Sequence, residues 1–119
     1  MITSLPLKRG YYVASTTACG QASNADVMLV HRNGINASRT ACEFTKIEAI
    51  GPATYRATES CSDIQSDGPD DVHVVTYVLR GDTSFTSKSE SGWTNSARYC
   101  AQASMPPDWR ENDISDLID

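Results

Sequence analysis

Long apolar runs are missing from this chain, and none approaches the roughly 20 residues that a membrane-spanning helix requires. Leucine and lysine are scarce, with five and three among 119 residues, too few to coat the helices of a bundle. Basic charge is also short. Ten Lys and Arg face fifteen Asp and Glu, a net charge of −5. That balance argues against general nucleic-acid binding, which depends on basic surface neutralising phosphates. There is no internal repeat, no Gly-x-Ser-x-Gly nucleophile elbow and no Cys-x-x-Cys pair of the kind zinc ribbons use. The opening "MITSLPLKRG" lacks the basic start and apolar stretch of a secretion signal. A mature domain with a new initiator Met would begin this way, and so would a cytosolic protein, so the cysteines must decide the compartment.

What is present reads as strands. The chain is long enough for one domain with a modest core, and its 39% hydrophobic content is too high for disorder. Thr, Ser, Val and Tyr dominate, and turn residues recur about every ten positions. Five runs have strand character: "GYYVAST", "DVMLV", "ACEFTKIEAI", "TYRATES" and "VHVVTYVL". "DVMLV" is apolar on both faces and reads as central. In "ACEFTKIEAI", Phe44 falls on one face, with Thr45, Ile47 and Ala49 on the other. "VHVVTYVL" has no wholly polar face and is expected to be the most buried. "TSFTS" and "SARYCAQ" are shorter candidates. Asn33-Gly34 predicts a type I′ hairpin turn, and "IGPA" and "RGDT" are short enough to be hairpin turns. The expected fold is all-β: a small antiparallel meander of about seven or eight strands, closed as a barrel or folded as a sandwich.

Three segments are expected: an N-terminal arm over 1–10, a β domain over 11–104 and a Pro-containing acidic tail over 105–119. From Asp108 onward five acids face only Arg110, so the tail carries −4 and the body is nearly neutral. "MPPDWR" is expected to be extended because proline neither continues a helix nor donates to a ladder. "NDISDLI" then predicts a short helical turn capped by Asn112 or Asp113, with Ile114, Leu117 and Ile118 on one face. Such a turn alone is marginal. The tail must dock on the barrel, grip a partner or stay disordered.

Cys42 and Cys61 flank Gly51-Pro52 almost evenly. If the turn closes at Ile50–Ala53, opposed residue numbers add to 103 and Cys42 faces Cys61, close enough for a cross-strand disulfide. Cys19 and Cys100 then follow the first and last clear strands, where a bridge would clasp a closing barrel. The rival pairing joins Cys19 to Cys42 and Cys61 to Cys100, and spacing alone does not choose between them. Metal ligation and reactive thiols fit less well. No cysteine pair is closely spaced, and neither His31 nor His73 lies near one. Disulfides imply an oxidising compartment, here periplasmic or secreted.

Candidate functional residues are few. His31 sits by a hairpin turn and His73 in an apolar strand; both read first as structural. Asp63, Asp67, Asp70 and Asp71 could hold calcium, but their spacing departs from the EF-hand loop. Arg80-Gly81-Asp82 matches the tripeptide that integrins recognise and is also ordinary turn chemistry. Asn36-Ala37-Ser38 matches the N-glycosylation acceptor. The most suggestive stretch is "SKSESGWTNSARYCAQASMPPDWR". It sets Trp93, Arg98, Tyr99 and Trp109, types enriched at binding hot spots, among Ser, Gly and Pro. For Tyr99 and Trp109 the structural reading is favoured, Tyr99 in the barrel wall and Trp109 as the plug anchoring the tail. Trp93 lies in an otherwise polar loop that suits either reading.

Over residues 11–100 the chain resembles, in its architecture, the small periplasmic lysozyme inhibitors of Gram-negative bacteria. Its size, dense short strands and cysteine near each end carry the likeness. The resemblance implies an eight-stranded barrel that presents a Ser-Gly-x-x-Tyr loop to the lysozyme cleft. Here Ser91-Gly92 is followed by Asn95 where that motif has Tyr, and Ser96-Ala97-Arg98-Tyr99 lacks the Gly. The expected function is a non-catalytic extracytoplasmic binding or inhibitor-type module, with Ser91, Gly92, Trp93, Arg98, Tyr99 and Trp109 as binding residues. It would have a protein partner, no nucleic acid, no cofactor and no metal. The alternatives are a β-barrel holding a small apolar ligand, disfavoured because the apolar residues look just sufficient to fill the interior, and a hydrolase built on separated His and Asp residues, with His31 and His73 as its histidines.

Overall fold

A computed structural model describes residues 4–37, 40–63 and 70–118. Eight strands follow one another around a closed antiparallel barrel: β1 (Gly10–Ala14), β2 (Val27–Val30), β3 (Gly34–Ala37), β4 (Thr40–Gly51), β5 (Thr54–Asp63), β6 (Asp71–Arg80), β7 (Ser84–Ser89) and β8 (Thr94–Tyr99). β8 returns to pair with β1, Tyr12 facing Tyr99 and Ala14 facing Ala97. Closure leaves no edge strand to template aggregation. Cys19 and Cys100, just beyond the two seam strands, are disulfide-bonded with Cα atoms 5.9 Å apart. The bridge clasps the seam.

One end of the barrel is plugged by the N-terminal segment. Leu5 and Leu7 pack among the interior residues Tyr12, Val30, Ile35, Ile47, Tyr77, Leu79 and Phe85. The Tyr12 hydroxyl donates to the carbonyls of Lys8 (2.7 Å) and Asp82 (3.1 Å), and the Lys8 amide donates to Asp82 as well. Burial raises the Tyr12 hydroxyl far above its ordinary pKa, which keeps it a donor. Arg80-Gly81-Asp82 therefore forms the β6–β7 turn, with Gly81 at φ 63°, and anchors the plug.

A second core lies outside the barrel. Tyr11, Val13, Val27 and Leu29 point outward from β1 and β2 and are covered by Met105, Ile114, Trp109 and Ile118. This cover explains why β2 is apolar on both faces: one meets the interior, the other the tail. The tail docks through two helical turns, α1 (Pro107–Arg110) and α2 (Ser115–Ile118). The expectation of an extended "MPPDWR" is corrected here, because Pro107 opens α1 at a position where its missing N–H costs nothing. The Asp113 carboxylate caps α2, accepting from the Ser115 hydroxyl (2.7 Å) and amide (3.1 Å), bonds that hold it below its usual carboxylate range.

The β4–β5 register matches the expected Cys42–Cys61 pair, but by a different route. The turn falls one residue later, with Gly51 opposite Thr54, so paired numbers add to 105 there. Two bulges, between Ala49 and Gly51 and between Phe44 and Lys46, each remove one, and the sum reaches 103 at the cysteines. The bridge forms with Cα atoms 4.1 Å apart. The lower bulge also puts Phe44 and Ile47 on the same, inner face, correcting the alternation expected for them.

Two further expectations change. β6 is not the most buried strand: Val72 and Val78 lie 67% and 46% exposed, and its inward face alternates in the ordinary way. Asn33-Gly34 is not a type I′ turn, since neither residue has positive φ. Gly34 instead belongs to β3, where an added Cβ would lie 2.0 Å from the Cys42 carbonyl oxygen. Close backbone approach demands the glycine. Of the suggested calcium loop Asp67 lies outside the described residues, as does Ser38 of the glycosylation acceptor.

Candidate functional site

Among the described residues, nothing closes the end opposite the plug. Inward residues of β2 to β8 frame a cavity of about 620 Å³ there, and its wall includes Met28, Ile35, Ala37, Val75, Tyr77 and the Cys42–Cys61 bridge. Ser87, Ser89 and Asn95 line the β7–β8 side, and Trp93 stands at the rim.

The floor carries a carboxyl. β5 alternates Tyr55, Ala57, Glu59 and Cys61 inward, so Glu59 occupies a core position and is only 4% exposed. The Tyr77 hydroxyl, one strand over, donates to its Oε2 at 2.7 Å. Burial pushes the Glu59 carboxyl above its ordinary value, while the Tyr77 hydrogen bond and the nearby His73 pull it partly back. Tyr77 is pushed well above its own ordinary value by burial and by the Glu59 charge, so it stays a donor. Phe44 and Phe85 pack edge-on around the Tyr77 ring and fix it.

One Glu59 carboxylate oxygen and both bridge sulfurs lie within 4.8 Å of one another. The sulfurs are bonded to each other and are not thiolates, so this trio is no metal site while the bridge is intact.

The rim is a tight hairpin. The Gly92 amide donates to the Ser89 carbonyl (3.0 Å), and Gly92 takes φ 93°, as a turn closed by a glycine bulge requires. The Ser89 hydroxyl accepts from the Trp93 amide (3.2 Å) and meets the Ser91 hydroxyl at 2.9 Å. These bonds hold Trp93 up while leaving it 79% exposed. A Glu90 carboxylate oxygen accepts from the Val74 amide (3.2 Å) and ties the hairpin to β6.

Ser91, Gly92 and Trp93 thus sit together at the mouth, and the other three sequence candidates lie elsewhere. Arg98 donates to the carbonyls of Val13 (3.0 Å), Ala14 (3.1 Å) and Thr17 (2.6 Å), fastening the chain after β1. Tyr99 packs edge-on against Tyr12 beneath the Lys8 ammonium. Trp109 covers the outer core and borders a smaller cavity of about 380 Å³ between tail and barrel. His31 lies outside the main cavity. Its Nδ1 accepts from the Asn33 amide, so Nε2 donates to the Asn36 side-chain oxygen (3.1 Å). His73 borders the cavity near Glu59. Sequence reasoning missed Glu59 and Tyr77. The available signal was parity: Glu59 is an acid in step with Tyr55, Ala57 and Cys61, in the middle of the strand.

Neither a scan against protein-family models nor searches of curated proteins and of solved structures found a match to this chain. No helix among the described residues is long and apolar enough to cross a membrane. The two disulfides are consistent with an oxidising compartment.

Proposed function

We propose that the protein is a small-molecule-binding β-barrel, secreted or periplasmic, whose ligand enters at the open end. The carrying observation is the 620 Å³ cavity with a buried carboxyl in its floor. Its volume lies in the range of small-ligand sites, and its mix of apolar wall and few polar groups is what such sites use. The interior is underfilled on this side because Ala37, Ser87 and Ser89 take positions that larger residues would close. Titration with the neutral fluorophore N-phenyl-1-naphthylamine tests the reading. Saturable binding should be lost in V75W, which fills the cavity. Absence of saturable binding, or equal binding by V75W, defeats it.

A second reading, inhibition of a protein partner such as lysozyme, is favoured by one observation. Trp93 is 79% exposed on a hydrogen-bonded turn, as a presented recognition residue would be. Lysozyme turnover measured with and without the protein checks it directly, and unchanged turnover removes lysozyme as the target.

A further inference from the structure

Taking the barrel mouth as the ligand site, we propose that it selects a small organic cation, a protonated amine on an apolar body, with Glu59 as its counter-ion and Trp93 over the entrance. The charge of the cavity's described lining is one-sided. That lining holds the carboxyls of Glu59 and Glu90 and the imidazole of His73, but no lysine or arginine. Glu59 lies at the floor among Ile35, Val75 and the Cys42–Cys61 bridge. A carboxyl so placed is costly to ionise unless a cation and hydrogen bonds meet it. Tyr77 supplies one hydrogen bond, to Oε2. An ammonium entering from the mouth supplies the positive charge, and its apolar body replaces water along the wall. Trp93 presents an indole at the entrance, the side chain whose face attracts cations best. A neutral ligand of the same shape gains the wall contacts and leaves the carboxyl unmatched. An anion meets two carboxyls and is excluded.

Isothermal titration of three probes sharing one ring system separates these cases: 1-naphthylmethylamine, 1-naphthalenemethanol and 1-naphthoate. The amine should bind about tenfold more tightly than the alcohol, a modest gain for one desolvated ion pair, and the acid should not bind measurably. E59Q should abolish the preference for amine over alcohol while leaving the alcohol's affinity within about twofold, and E59D, which keeps the charge, should retain a preference. Thermal melts of each variant separate misfolding from lost recognition, and if E59Q does not fold the wild-type probe series decides alone. Equal affinity for amine and alcohol, tighter binding of the acid, or an undiminished preference in folded E59Q overturns the cation assignment and leaves the ligand-binding reading standing. If no probe binds, both fall.

Discussion

Glu59 couples the cavity to proton concentration. Its folded-state value is raised above the ordinary 4.5 by burial, against the pull of Tyr77 and His73. Between 4.5 and the raised value the native state therefore holds more protons than the unfolded chain. Stability from this group is complete below that window and is lost as pH rises through it. E59Q keeps an acceptor for Tyr77 and carries no charge. Thermal melts across about pH 4 to 8 should show the wild type losing stability relative to E59Q as pH increases; parallel curves would mean that Glu59 is not held in the state described. The four residues of hot-spot type divide just as sharply. Arg98 makes three charge-assisted bonds to backbone carbonyls, and R98A should cost about 2 kcal/mol in chemical denaturation. W93A removes an exposed ring and should shift stability by less than about 0.5 kcal/mol. Composition placed the two residues in one class, because hot-spot frequency carries no information about which carbonyls a guanidinium will find.

Among elements, the hairpins show where strain is stored. Ala53 closes the β4–β5 turn at φ 52°, a conformation that costs a side-chain-bearing residue about 1–2 kcal/mol. Glycine removes that cost but loses about 0.4–1 kcal/mol through the freer unfolded chain. A53G should therefore raise stability by about 0.5 kcal/mol, read as a higher denaturant midpoint at unchanged slope. The same hairpin shows what was legible from residues alone. Alternating patterns and turn spacing were enough for an antiparallel all-β fold, and the Cys42–Cys61 pair was anticipated. The turn behind that pairing was misplaced by one residue and two bulges restored it, since a bulge is a local answer to barrel curvature and leaves no composition signal. β3 escaped detection because four residues, Gly34 to Ala37, are too few to show a period. Ser91-Gly92-Trp93 was legible as a polar loop carrying a candidate binding aromatic. Its position over a cavity was not, because that depends on which strands lie across the mouth.

The described residues form a barrel stoppered at one end, open at the other and strapped along its seam. The strap joins features that the chain order keeps far apart: β1, β8, the outer core and the tail all meet at Cys19–Cys100. Cys100 is itself buried in that outer core with Met105 and Ile114. The two bridges therefore contribute differently. Cys42–Cys61 closes a segment of 19 residues within one hairpin, while Cys19–Cys100 closes 81 and holds the two ends of the sheet together. Restriction of the unfolded chain favours the longer loop, about 4.5 against about 3 kcal/mol. Replacing the pair 19/100 with alanine should thus destabilise by at least 1 kcal/mol more than replacing 42/61, and it should also weaken protection of the β1–β8 amides and the tail in hydrogen exchange. Loss of 42/61 should lower the melting temperature less than loss of 19/100 and leave the seam's exchange protection unchanged. On the proposed ligand-binding reading it should also lower affinity, because the bridge forms cavity wall at the mouth. Equal melting losses, with exchange protection of the seam unchanged in the 19/100 variant, would show that hydrogen bonding from Tyr12 to Tyr99 closes this barrel without covalent help.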